Sequence, residues 1–145
     1  MATSLVQLLE LPALSTFGLL VVKLPDDVWN VIVKTLVKYD GIYCPSPELR
    51  RHIENNTQIT LFDGGVFIAD GNEFDLFVVP EKRGKWRIRK EITAFLAKLA
   101  EKHNKAIVKI YPENEPSLRL ALGFGFEPVG KQGRQIVLER PLWVA

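Results

Sequence analysis

Residues 114–130 read Asn-Glu-Pro-Ser-Leu-Arg-Leu-Ala-Leu-Gly-Phe-Gly-Phe-Glu-Pro-Val-Gly, and no other stretch does as much to decide the fold. Asn114 is a good helix cap, because its side-chain oxygen can accept from the N–H groups that open a helix. Glu115 and Pro116 suit a first turn, where negative charge meets the positive dipole end and a missing N–H costs nothing. The spacing predicts a short helix over Glu115–Leu122. Phe124 and Phe126 flank Gly125 and are expected to pack the strands that follow into the core. Those strands, Phe126–Lys131 and Gln135–Glu139, are joined at Gln132-Gly133 as a hairpin.

Upstream of this unit, Lys105–Tyr111 (KAIVKIY) reads as a buried strand. A long helix precedes it, from about Lys85 to His103. Trp86, Ile92, Phe95, Leu96 and Leu99 face one way, while Lys90, Glu91, Lys98 and Lys102 face water. Before the helix, Glu73–Val79 (EFDLFVV) ends almost wholly apolar, as a central strand covered on both faces does. A strand–helix–strand unit of this kind predicts parallel strands and a right-handed crossover.

The first half supplies the rest. Thr57–Phe62, Gly65–Ala69 and Glu73–Val79 form a meander, with turns at Asp63-Gly64 and Asp70-Gly71-Asn72. A helix opens at Pro25, Asp26 and Asp27, carries Val28, Trp29, Ile32, Val33, Leu36 and Val37 at helical spacing, and ends near Asp40-Gly41. A shorter helix begins at Ser46 or Pro47 and runs through Asn55. Gly18–Lys23 (GLLVVK) reads as a first strand. The element order predicts an α/β (α+β) fold, with a mixed central sheet of about seven strands flanked by helices. One domain over residues 18–145 is expected, preceded by an apolar arm or short helix over residues 1–17.

Composition narrows the function classes. The chain has 145 residues, 47% hydrophobic and 25% charged, which is enough for one ordinary core without staples. The single cysteine, Cys44, excludes an internal disulfide and makes a reducing, cytoplasmic compartment the default. The net charge of +2 is too mild to point to nucleic acid by itself. No apolar run reaches the length of a membrane span, and Glu10 and Pro12 interrupt the apolar N-terminus, which also lacks a basic leader. No spacing of His52, His103 or Cys44 suggests a metal, and His103 sits where a cation suits a helix end.

Two stretches and the order of elements together resemble the GNAT superfamily of N-acetyltransferases. The first is Val79-Pro80-Glu81-Lys82-Arg83-Gly84-Lys85; the second is Asn114 to Leu120 with Gly125 to Gly130. The resemblance implies acetyl-CoA as cofactor and an amine as acceptor, with transfer by direct attack in a ternary complex. It further implies that Arg83, Gly84, Lys85, Trp86, Arg87, Ile88 and Arg89 hold the pyrophosphate, and that Asn114 holds the cofactor arm. The backbone of Phe77, Val78 and Val79 is expected to pair with pantetheine. Glu73 or Asp75, which share one strand face, would serve as base; the alternative is a solvated strand start. Two departures from the family pattern stand out. The small residues of its phosphate loop are replaced by Trp86 and Ile88, and Ala121 stands where a proton-donating tyrosine is frequent. Tyr111 is a substitute acid or a packed aromatic.

The departures keep a second reading open: a GNAT-fold protein without catalysis, serving as a binding or structural part. Compact proteins of this kind resemble those carried by tailed bacteriophages, some in the virion, and the N-terminal arm would suit a protein partner. The cluster Lys82, Arg83, Lys85, Arg87, Arg89 and Lys90 fits coenzyme phosphates, a nucleic-acid backbone with Trp86 stacked on a base, or a plain solvated helix start.

Overall fold

The computed structural model describes residues 21–41, 46–83 and 86–143, with the side chains of Trp86 and Arg87 excepted. The arm over residues 1–17, Cys44, Gly84 and Lys85 lie outside the described residues.

Two helices open the described chain. Helix α1 (Asp26–Asp40) begins after Pro25 with two aspartates in its first turn and stops at Gly41, whose φ of 68° is left-handed and whose N–H bonds Leu36 O. Helix α2 (Pro47–Asn56) is capped by Ser46, which accepts from Leu49 N–H. Three strands follow: β1 (Gln58–Phe62), β2 (Gly65–Asp70) and β3 (Glu73–Val78). A 3-10 turn (Pro80–Lys82) leads to α3 (Trp86–Ala100), then β4 (Lys105–Ile110), α4 (Glu115–Gly123), β5 (Glu127–Gln132) and β6 (Gln135–Pro141). Asn114 caps α4 by accepting from Ser117 N–H, as its sequence position predicts.

The strands make one mixed sheet in the order β1-β2-β3-β4-β6-β5, antiparallel except where β3 meets β4. Its two faces carry two separate cores. Val66, Ile68, Phe77 and Val79 pack against α1 and α2 through Val28, Ile32, Leu36 and Ile53. Phe67, Ala69, Phe74, Ala106, Val108 and Leu138 pack on the other face, against Ile92, Phe95, Leu96 and Leu99 of α3. Phe67 lies flat on Phe95 with ring centres 4.1 Å apart, and Phe74 meets the same ring edge-on at 4.9 Å. Strand β3 therefore has a buried aromatic on each side, which is why its end, Leu76 to Val78, is apolar without alternation.

Among the described residues the sheet has six strands where about seven are expected. Of the predicted first strand, residues 18–20 lie outside the described residues, and 21–23 carry no strand structure. Side chains of α2 hold this segment in place of a strand neighbour. Leu24 N–H donates to the buried Glu54 carboxylate at 2.6 Å, and the Arg50 guanidinium donates to Leu24 O and, at 2.8 Å, to Asp26. No described helix is long and apolar enough to cross a membrane.

Candidate active site

The parallel pair at the centre of the sheet is joined only at its base. Glu73 and Ile107 are the sole registered partners of β3 and β4, in contrast to six registered pairs between β4 and β6. Asn72, in the turn before β3, fixes this junction twice: its carbonyl accepts Ile107 N–H at 2.9 Å, and its amide donates to Lys105 O at 3.1 Å. Beyond that point the strands diverge.

The divergence exposes one edge of β3. Val79 N–H donates to Gly64 O at 2.7 Å, so Val79 faces the β2 side. By the two-residue alternation of an antiparallel ladder, Phe77 faces β2 too, opposite Val66. Leu76 and Val78 therefore turn their backbone groups toward the gap. Of the three residues Phe77, Val78 and Val79 expected to offer a free edge, only Val78 does so, and Leu76 joins it. Arg83 closes part of this edge, because its Nε donates to Val78 O at 2.9 Å.

The gap opens into a cleft of about 1140 Å³. One wall is β3 and the turn after it, with Leu76, Val78, Pro80, Glu81 and Arg83; the opposite wall is Val108 and Ile110 of β4 with α4. Ile88 and Arg89 line it at the start of α3, and Asn114, Ser117, Ala121 and Phe124 at α4. Asn114 thus reaches the cleft, but its side-chain oxygen is engaged in the cap. Ile88 is buried in the α3 core, 7% exposed, so the bulky residue at the loop's small position points inward. Arg89 is exposed, and its guanidinium lies over the Phe124 ring at 5.7 Å.

The basic cluster is dispersed. Lys82 pairs with Asp63 at 3.2 Å across the β1–β2 turn, Arg83 is folded onto Val78, and Arg89 sits on Phe124. Only Arg83 and Arg89 of its described side chains line the cleft. Gly84 and Lys85 lie outside the described residues, as do the side chains of Trp86 and Arg87.

Neither proposed base lies on the cleft wall. Glu73 and Asp75 share a face, as the strand period requires, but it is the face toward α1 and α2. The Glu73 carboxylate is bound by Lys109 of β4 at 2.6 Å, both side chains less than one-fifth exposed. Asp75 is buried, 3% exposed, and has partners of its own. The carboxylates that do line the cleft are Asp27, Glu81 and Glu113.

Tyr111 is a packed aromatic rather than a free acid. Its hydroxyl donates to Asp40 Oδ1 at 2.8 Å, and its ring stacks on Tyr39 with centres 5.8 Å apart. Burial, then the hydrogen bond to Asp40 and that group's charge, push its pKa up to about 12. Burial likewise raises the Asp40 carboxyl above its ordinary range, against the opposing pull of Tyr111 and Arg134.

The sequence reading missed the contribution of α1. Asp27, Val31, Lys34, Thr35, Lys38 and Tyr39 all line the cleft. They recur once per helical turn, the one visible sign that a second stripe of α1 meets something other than water.

No protein-family model matches the chain, and no curated protein matches it in sequence. Solved structures do. A phosphinothricin acetyltransferase of the GNAT superfamily from Sinorhizobium meliloti, solved with acetyl-CoA, superposes with a TM-score of 0.58 at 20% identity, over 81% of this chain and 84% of that one. The PaiA N-acetyltransferase of Thermoplasma acidophilum, solved with coenzyme A, gives 0.56 at 14% identity over 83% and 96%. The chain has the GNAT fold. A Pyrococcus horikoshii protein superposes as well, with a TM-score of 0.57 at 18% identity over 83% of this chain and 94% of that one. In this chain the cleft depends on the divergence of β3 and β4.

Proposed function

We propose that the cleft binds acetyl-CoA and that the protein transfers the acetyl group to an amine. The observation that carries this reading is the free edge of Leu76 and Val78, opened by the divergence of β3 and β4 beside the start of α3. An extended chain with amide groups can add to such an edge as a further strand would, through backbone bonds alone. The residues present fit the coenzyme. Leu76 and Val78 would take the pantetheine amides, Arg83 and Arg89 would take phosphate oxygens, and Ile110, Ala121 and Phe126 give the arm an apolar floor. Both solved neighbours named for N-acetyl transfer hold coenzyme A or its acetyl ester, which supports the same reading.

When bound, the thioester would supply an acetyl carbon activated by a thiol leaving group, whose pKa of about 8.5 for an ordinary thiol requires little help from an acid. That is consistent with Ala121 on the wall and with a Tyr111 hydroxyl committed to Asp40. The chain's own part is to hold an amine against the reactive carbon and exclude water, a contribution of proximity.

A second reading, a coenzyme-binding protein without turnover, is favoured by the Glu73–Lys109 pair, which removes the expected base from the cleft. Titration calorimetry with acetyl-CoA separates the possibilities. Heat of binding together with thiol release on an amine panel supports the transferase; binding without release favours the second reading. No heat and no thermal shift at millimolar acetyl-CoA overturns both.

A further inference from the structure

We infer that a small annex beside the cleft is the acceptor subsite, and that it selects an amine carrying a carboxylate close by, of amino-acid size. This rests on the transferase reading and deepens it. The annex has a volume of about 230 Å³ and is lined by Lys38, Tyr39, Glu113 and Arg134. Lys38, Tyr39 and Glu113 also line the large cleft, so the two spaces share a wall.

The charges around the annex are unlike and unbridged. Lys38 and Arg134 bring two cations and Glu113 one anion, yet no ion pair joins them to one another or to another described residue. A ligand with both an ammonium and a carboxylate satisfies both signs at once. A simple amine would leave Lys38 unanswered and Arg134 balanced only by the Asp40 carboxyl beside it, and a simple acid would leave Glu113.

The cations are held by a stack. Lys38 Nζ lies 5.1 Å from the centre of Tyr39, Tyr39 stacks on Tyr111 at 5.8 Å, and the Arg134 guanidinium lies 5.1 Å from the centre of Tyr111. Arg134 also donates from Nη2 to Tyr39 O at 3.2 Å. That bond and a hydrogen bond with the Tyr111 side chain use part of its five N–H donors; the donors that remain suit a carboxylate. The Tyr111 bond to Asp40 fixes the stack to the end of α1. Carboxylate recognition is therefore assigned to Arg134 with Lys38, and ammonium recognition to Glu113 on the side shared with the cleft.

The test is binding of free amino acids to the whole chain, read by saturation-transfer NMR and calorimetry. The twenty L-amino acids are compared with their carboxamides and with simple alkylamines, and coenzyme A is titrated separately. At least one amino acid should bind, and its carboxamide should bind about tenfold more weakly, as loss of a charge-assisted contact implies. Arg134→Met should remove that preference while coenzyme A affinity stays unchanged, and Arg134→Lys should restore part of it. Glu113→Gln should weaken the amino acid but not its N-acetyl form. Equal binding of amino acids and alkylamines overturns the inference, as does a preference that survives Arg134→Met. Binding of coenzyme A with no amino acid bound overturns the inference and leaves the transferase reading standing. Amino-acid binding without coenzyme A overturns the transferase reading and the acceptor role with it, and leaves only amino-acid recognition by the annex standing.

Discussion

Tyr111 gives its hydroxyl hydrogen to Asp40 across 2.8 Å, and this one bond ties the end of the strand β4 to the end of helix α1 on opposite sides of the cleft. It joins two groups whose ionised forms are both disfavoured by burial. A tyrosine with its pKa raised from 10.0 to about 12 favours the fold while neutral. That contribution is complete below the unfolded value and is lost as pH rises through the folded one. Spectroscopic titration should show one tyrosine ionising near 12, and Asp40→Asn should bring it partway down, leaving the effect of burial. The alkaline loss of stability should be smaller in Tyr111→Phe than in the parent.

Asp40 itself gives the acid-side counterpart. Its folded pKa lies above the ordinary 3.8, so the stability it provides is present below that value and fades as pH rises through the raised one. Relative to the parent, Asp40→Asn should therefore gain stability as pH rises from below 3.8, measured by urea unfolding at each pH. A stability difference that is flat with pH would contradict the raised value.

Glu73 is paired with Lys109 and lies off the cleft wall. Glu73→Gln should lower stability by about 1–3 kcal/mol, because Lys109 is left largely buried without its counter-charge. Coenzyme A affinity should change little. A variant that unfolds normally but has lost amine-dependent turnover would return Glu73 to the role of base.

Arg83 has two partners to choose from. Arg83→Met should reduce affinity for coenzyme A about tenfold at low salt, with the gap narrowing as salt rises. Acetyl-pantetheine, which lacks the pyrophosphate, should bind the variant at least as well as the parent, because Val78 O is no longer covered. Equal weakening for both ligands would mean that Arg83 acts through the fold and not on phosphate.

Gly64 sets the far end of β3. Its φ is +84°, and an added Cβ would fall 3.1 Å from Val79 Cγ2 while colliding with Lys82. Gly64→Ala should cost at least about 1 kcal/mol from the left-handed backbone alone, read in the urea midpoint. Because Gly64 O receives Val79 N–H, the same change should also weaken coenzyme binding.

What was legible in the sequence follows the range of the interactions. Turn and cap chemistry acts within a few residues, so the turns at Asp63-Gly64 and Asp70-Gly71-Asn72 and the Asn114 cap could be read directly. The parallel crossover through α3 was legible because the handedness rule needs only element order. The strand period put Glu73 and Asp75 on one face, but which face depends on where α1 and α2 pack, a matter of distant residues. The same limit applies to the edge of β3: choosing Leu76 and Val78 over Phe77 and Val79 requires knowing which side β2 occupies. Lys109, the partner that removes Glu73 from the cleft, comes from β4, a strand reached only after the long helix. Trp86 and Ile88 depart from the loop pattern, and the burial of Ile88 in the α3 core shows how one bulky residue at such a position can be turned inward.

The junction at Glu73, Ile107 and Asn72 makes the sheet a lever with its fulcrum at one end. A small change in angle there is multiplied along the length of β3, so the mouth of the wedge moves much more than its apex. Substitutions at Asn72, far from any ligand, should therefore act as a gain control on how thick a guest the protein admits.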